Sequence, residues 1–365
     1  MKPDIRIGID ACALRKKLTG IGRYSWEICL ELDKLLPEAK FYLYSPDHLE
    51  LELPSKRWKL RVGGSSLVRY LSSYAWLRWY ISKMTAEDKI DIFWSPRTLL
   101  PNNTESVKTI STVHDLNFLL FPRSMPYITW FAQRLWYARD LHSADAVVAN
   151  SCGTADRLRS LLNIKVDEIV KPGVSSHFFP RSRQTIRKKL NIFRIDRPYY
   201  LTVGTLEPRK NISRLVDAWL DLKNDNKLPN HLLVIVGLKG WRSSKLSKKL
   251  NLSHKSGVRT LGFVSDDDLG ALYSGAQAFI MPSLYEGFGM PLQEARACGT
   301  RLVSTNTPEL REAGGPHGIY VECNIEGLKN GIISASSHTV SKPDPIHQWS
   351  DSALVMADVI RRLSR

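Results

Sequence analysis

Short runs of β-branched and aromatic residues alternate with amphipathic, helix-period stretches along the whole chain. Ile5–Asp10, Phe41–Tyr44, Asp91–Trp94, Val107–Val113 and Ala146–Asn150 read as one series of strands. Tyr199–Val203, Leu232–Val236, Val258–Leu261, Ala278–Met281, Arg301–Ser304 and Gly318–Val321 read as a second. Helical segments fall between them at Arg23–Leu36, Pro126–His142, Gly153–Leu162, Ile212–Leu222 and Asp266–Ser274. Strands and helices in strict alternation build parallel sheets with helical crossovers on both faces. Two series therefore predict an α/β protein of two doubly wound, Rossmann-like domains, and 365 residues are enough to give each its own core.

The seam is expected near Pro172–Arg197, where prolines, serines and a burst of positive charge mark a surface connection. That reading assigns residues 1–175 to an N-terminal domain and 176–345 to a C-terminal one. A last helical segment, Gln348–Arg365, has no strand after it and must dock on structure already built. In open parallel sheets ligands sit outside the carboxyl ends of the strands, so the two domains are expected to turn those ends toward a central cleft.

Four strand-end motifs fall there. Ser283-Leu-Tyr-Glu-Gly-Phe-Gly-Met-Pro-Leu-Gln-Glu294 follows a strand and opens a helix through Pro291, a residue suited to the first helical turn. Such a loop presents free N–H groups and a positive dipole end to an anion. Glu286 and Glu294 would repel a phosphate, so they are assigned to sugar and ribose hydroxyls; the alternative is a helix cap with an exposed glutamate. Val203-Gly-Thr-Leu-Glu-Pro-Arg-Lys-Asn211 places Arg209 and Lys210 side by side before a helix that Asn211 can cap. Together they suit a diphosphate, and the alternative is a solvated basic turn. Gly20-Ile-Gly22 lacks the third glycine of a dinucleotide fingerprint. His114 ends the strand in Thr112-Val-His-Asp-Leu116, a place where histidines are more often structural than catalytic.

Charge narrows the partners. Lys and Arg exceed Asp and Glu by 16, and ten tryptophans accompany them. Nucleic acid, an anionic membrane and a phosphorylated substrate all fit such a balance. The excess is spread, +6 over residues 1–180 and +10 over 181–365, and no nucleic-acid module gathers it. The five cysteines are scattered without metal-knuckle or redox spacing, and fit reduced cytosolic thiols. The first ten residues lack the apolar centre of a signal peptide, and no run is long enough to span a bilayer.

Taken together, the Glu286–Glu294 pair, the Arg209–Lys210 pair, Gly20–Gly22, His114 and the segment around Phe263–Val264 resemble the retaining glycosyltransferases of family 4. The stretches at 112–116 and 204–211 look like the mannosyltransferase-type branch that builds bacterial O-antigen and capsule. The resemblance implies the GT-B fold, with a final helix (346–365) returning to the N-terminal domain, and a hexose passed from a nucleotide sugar to a lipid-linked glycan. A GDP-sugar carrying mannose or a related hexose is favoured as donor; a UDP-sugar transferase and a sugar-nucleotide epimerase are the alternatives, with a basic nucleic-acid-binding protein behind them. It implies that Glu286 contacts donor-sugar hydroxyls and Glu294 the ribose. The backbone at Gly287, Phe288, Gly289 and Met290 would face sugar and phosphate. Arg209 and Lys210 would stabilise the departing diphosphate, His114 would lie by the sugar's C6 hydroxyl, and Phe263 and Val264 would border the base. No metal or other cofactor is expected. One departure is Thr205, where many relatives carry an arginine; Arg209 is expected to serve instead.

A lipid-linked acceptor calls for a membrane face. Leu67, Leu71, Tyr74 and Leu77 recur at helical spacing between residues 67 and 83, with Arg69, Arg78 and Lys83 on other faces and Trp76 and Trp79 added. Pro126–Arg139 carries Trp130, Phe131, Arg134 and Trp136 in similar fashion. Basic helices with tryptophan suit an anionic interface, although apolar stripes usually mean core. The expectation is a cytoplasmic protein, peripheral on the inner face of the membrane, with no nucleic acid bound.

Overall fold

The computed structural model describes residues 4–14, 18, 20–63, 73–102, 106–240, 243–337 and 345–365. Its strands form two separate sheets in which every pairing is parallel. The first contains β1 (Arg6–Asp10), β2 (Lys40–Ser45), β3 (Trp58–Val62), β4 (Ile92–Ser95), β5 (Lys108–Val113), β6 (Ala146–Ala149) and β7 (Glu168–Ile169), in the order 3-2-1-4-5-6-7. The second contains β8 (Tyr199–Val203), β9 (Leu232–Val236), β10 (Val258–Gly262), β11 (Ala278–Met281), β12 (Leu302–Thr305) and β13 (Ile319–Val321), in the order 10-9-8-11-12-13. Both are doubly wound, reversing direction between β1 and β4 and between β8 and β11. Ligands of such sheets bind at that reversal, outside the strands' carboxyl ends.

The apolar runs have their cause in burial on both faces. In β9, Leu232, Val234 and Val236 enter one cluster of the second unit's core, while Leu233 and Ile235 enter the other. β8 and β11 divide the same way, Tyr199 and Leu201 against Tyr200, and Phe279 and Met281 against Ala278 and Ile280. Period-two alternation thus serves two helical layers at once.

The chain divides into two compact units. One comprises residues 1–120, 127–173 and 347–365; the other comprises 121–126 and 174–346. The last helix, Trp349–Leu363, packs in the first unit against the helix Gly20–Leu35, with Trp349, Met356 and Ile360 in the same core as Ile28 and Leu32. Segment 121–126, assigned from sequence to the N-terminal domain, clusters with the second unit; there the Phe121 ring stacks on Tyr285, centroids 5.8 Å apart.

Several local expectations are corrected. The connection expected over Pro172–Arg197 contains a helix, Arg183–Ile192, started by Ser182, whose hydroxyl accepts from the Thr185 N–H. None of its residues is buried, so no apolar stripe betrays it. Gly20 and Gly22 lie in the first turn of their helix, not in a loop before it; a side chain at Gly22 would strike the Ala13 carbonyl oxygen at 2.4 Å. Thr19 lies outside the described residues, as do Leu67, Arg69 and Leu71 and the side chain of Tyr74. Beyond them stand two short helices, Ser73–Trp79 and Ile81–Glu87. Trp76 is wholly buried, its indole N–H donating to the Gly63 carbonyl at 2.7 Å, so it is core and not membrane surface.

Candidate active site

The residues singled out at 205–210 and 283–294 meet at the reversal of the second sheet. The loop after β8 carries Thr205, Arg209 and Lys210, and the loop after β11 carries Glu286 and Gly287. The two loops are laced together. Arg209 accepts at its carbonyl from the Leu284 N–H (2.9 Å) and donates through its guanidinium to the Tyr285 carbonyl (2.7 Å). The Asn211 amide donates to the Pro282 carbonyl at 2.9 Å. That bond replaces the expected cap: Asn211 sits in the left-handed region, φ 54°, and makes no side-chain capping bond to the helix Ile212–Asn224.

At the centre lies an ionic cluster. Arg209 Nη1 and Lys210 Nζ each donate to the Glu286 carboxylate at 2.6 Å, and the Ser283 hydroxyl donates at 2.7 Å. Glu207 takes a further 2.8 Å bond from Arg209. Glu286 is buried. Burial alone would raise its carboxyl, but the adjacent charges of Arg209 and Lys210, with hydrogen bonds from Lys210 and Ser283, outweigh that and hold it down to about 2. Two cations face two carboxylates, so the cluster is close to neutral. Sequence reasoning kept Glu286 and the cations apart in role, and the structure puts them in direct contact. It also missed Ser283 and Glu207, whose only signal was their spacing, three residues before Glu286 and two before Arg209.

Beyond Glu286 the chain enters the helix Met290–Ala297. Its N-cap, Gly289, has φ 110°, and a side chain there would meet Leu310 Cδ2 at 2.7 Å. Glycine is required on both counts. Gly287 and Phe288 are buried, Phe288 with its ring in the core, and Met290 is half-buried. Glu294, one turn into the helix, is buried and accepts from the Tyr273 hydroxyl at 3.1 Å. After β10, Phe263 is exposed and Val264 is buried in the core. Thr205 is exposed.

The remaining candidates belong to the first unit. His114 follows β5 and is half-buried, with its ring edge-on to Tyr24 at 4.8 Å. Its Nε2–H donates to the Pro96 carbonyl at 2.8 Å, which leaves Nδ1 as the acceptor. Burial pushes its pKa down to about 4 against the opposing pull of Pro96 and Asp115, so the ring is neutral at physiological pH. At that sheet's own reversal Asp10, fully buried, pairs with Arg97 at 2.7 Å, a pairing sequence reasoning did not anticipate. Among the described residues no group of three or more His, Cys, Asp or Glu side chains is placed to hold a metal ion. Nor, among them, is any helix long and apolar enough to cross a membrane.

The chain has known relatives. Residues 182–347 match the model of the family "Glycosyl transferases group 1". An O-antigen chain mannosyltransferase B of Escherichia coli is 29% identical over 338 residues, 88% of each chain. Sucrose-phosphate synthase of Thermosynechococcus elongatus superposes with a TM-score of 0.76 at 19% identity over 99% of both chains. HepE of Anabaena, solved with UDP and glucose, gives 0.69 at 15% identity over 98% of this chain and 99% of that one. At such identities these two structures speak for the fold, which is of the GT-B type. The family match over the second unit and the relative aligned over 88% of the chain agree in class: the protein is a glycosyltransferase.

Proposed function

We propose that the chain transfers mannose from GDP-mannose to a lipid-linked glycan at the cytoplasmic face of the membrane, in the building of a bacterial surface polysaccharide. The reading is carried by one observation, the Arg209–Lys210–Glu286 cluster at the reversal of the second sheet. A diphosphate leaving group needs cations that meet its growing charge, and a sugar needs an ionised acceptor for its hydroxyls. The cluster offers both within one contact. The E. coli relative, an O-antigen chain mannosyltransferase, supports mannose and O-antigen as sugar and product class.

In this mechanism the C1–O bond to the β-phosphate breaks as negative charge develops on the phosphate. Arg209 and Lys210 stabilise that charge, and no metal is needed. The acceptor hydroxyl oxygen bonds to C1 on the face just vacated, retaining configuration, and its proton passes to the departing phosphate oxygen. Glu286 and the backbone at Gly287–Met290 hold the sugar, Glu294 the ribose, and Phe263 and Val264 border the base. In the first unit, neutral His114 keeps Nδ1 as an acceptor, and Gly20 and Gly22 open the helix after β1.

A thermal-shift screen of GDP-, UDP-, ADP- and dTDP-sugars, followed by transfer from the stabilising donor to a lipid-linked acceptor, tests this. GDP-mannose should raise the melting temperature most and yield a mannosylated lipid. Selective stabilisation by a UDP-sugar, as the HepE complex with UDP would favour, replaces the donor assignment. Turnover of a donor without any acceptor, giving its epimer, overturns the transfer reading.

A further inference from the structure

The helix Tyr127–Ser143 turns an apolar stripe to solvent. Its buried side is Ala132, Tyr137, Asp140 and Leu141. Asp140 pins it through a 2.7 Å pair with buried Arg78 and accepts from the Leu100 N–H at 3.0 Å. Outward stand Tyr127, 72% exposed, Ile128 at 69%, Phe131 at 52% and Leu135 at 55%. Four of the fifteen large apolar side chains exposed in the described chain thus fall within nine residues. At about 100° per residue they make one stripe roughly 100° wide, with Arg134 at one edge and Arg139 at the other. Both arginines are exposed, and no carboxylate is exposed on the helix. Trp79, 64% exposed, stands edge-on to Trp136 of the same helix at 6.3 Å. A contiguous exposed apolar patch marks an interaction surface.

We propose that this face docks on an anionic lipid bilayer, burying Tyr127, Ile128, Phe131 and Leu135 at the headgroup boundary. Charge complementarity identifies the occupant. Arginines at both edges of an apolar stripe reach lipid phosphates while their stems lie along the acyl boundary, and the exposed side of the helix presents no carboxylate to repel them. Aromatic rings favour the same interface. The docking stands on exposure and charge; it rests on the lipid-linked acceptor reading only for its purpose, which is to hold the enzyme where such an acceptor is found.

Flotation of the full chain with phosphatidylcholine vesicles, with and without phosphatidylglycerol, tests the docking. Wild type should float with the anionic vesicles and little with the neutral ones. Ile128→Ser combined with Phe131→Ser should weaken that binding about tenfold or more. Arg134→Glu combined with Arg139→Glu should remove the preference for anionic lipid. All four residues are exposed, and unchanged melting temperature and nucleotide affinity would show that the fold and the donor site are intact. Vesicle binding unaltered in both double variants overturns the proposal. So does a concentration-dependent dimer, lost in the Ile128/Phe131 variant while lipid binding persists, which would give the face to a second copy. A wild type that floats but binds no nucleotide would sink the transferase reading and leave the docking standing.

Discussion

The Glu286 carboxylate accepts 2.6 Å bonds from the two cations that the proposed reaction needs for its diphosphate. In the proposed reaction an arriving diphosphate would compete with Glu286 for Arg209 and Lys210, and would release the carboxylate toward the sugar as it binds. Replacing Glu286 with Gln should have effects of opposite sign on binding and on rate. Free nucleoside diphosphate should bind several-fold more tightly, because a competing anion is gone. Transfer should fall on the order of 100-fold, because the ionised acceptor is gone. Calorimetry and a transfer assay on the same preparation decide it; weaker diphosphate binding in E286Q would contradict the competition. The same group sets part of the acid limit. Its folded pKa lies below the ordinary 4.5, so it stabilises the fold fully above pH 4.5 and loses that contribution as pH falls toward 2. His114 acts earlier. Its pKa drops from 6.5 to about 4, so the unfolded chain takes up the proton first and stability declines as pH falls from 6.5 to 4. Denaturant titrations across that window should show a shallower decline in His114→Gln. Equal slopes would mean that the ring is not held neutral.

Among elements, strands buried on both faces were legible, and so were the edge strands β10 and β13 of the second sheet, whereas both edges of the first sheet were not. β8, β9 and β11 read as strands because each residue enters one core layer or the other. β3 was missed because Lys59 is exposed and Leu60, Arg61 and Val62 are only half-buried, and β7 because it is two half-buried residues long. The site was legible in pieces. Arg209, Lys210, Glu286 and Glu294 each stood out as strand-end residues, but the contact of Lys210 with Glu286 spans 76 positions. It exists because β8 and β11 are neighbours across the reversal, which no local pattern records. That junction depends on close backbone approach. A side chain at Gly237 would lie 1.9 Å from the Gly204 carbonyl oxygen, at φ 153°. Gly237→Ala should destabilise the second unit by about 2 kcal/mol or more and loosen the turn that leads to Arg209. Gly262→Ala, where φ is 70° and nothing crowds the new carbon, should cost about 1 kcal/mol. Equal melting-temperature losses in the two would show that backbone crowding at Gly237 is not what matters.

At the scale of the whole molecule, chain order and structural order part company. The last nineteen residues complete the first unit, although 173 residues of the second lie between them and the rest of it. Their grip is extensive: Ser352 donates to the Lys171 carbonyl, Arg361 to the Leu35 carbonyl at 3.1 Å, and Arg362 pairs with Glu168 at 2.8 Å. Gly173 passes so close that a side chain there would lie 2.2 Å from the Trp349 nitrogen. Removing residues 347–365 would strip Trp349, Met356, Val359 and Ile360 from a core they share with Ile28, Leu32 and Leu36. At about 1.5–3 kcal/mol for each large apolar side chain, that loss matches the whole stability of an ordinary domain, about 5–15 kcal/mol. The truncated chain should therefore lose the first unit and keep the second. Limited proteolysis should cut freely within residues 1–173 while a fragment near 174–346 survives, and a nucleoside diphosphate should still raise that fragment's melting temperature. Trp349→Ala, at about 3–5 kcal/mol, should move the first unit in the same direction without unfolding it. If the truncation lowered the melting of the second unit instead, the final helix would belong to the donor side of the molecule, and the division of the chain given above would have to be redrawn.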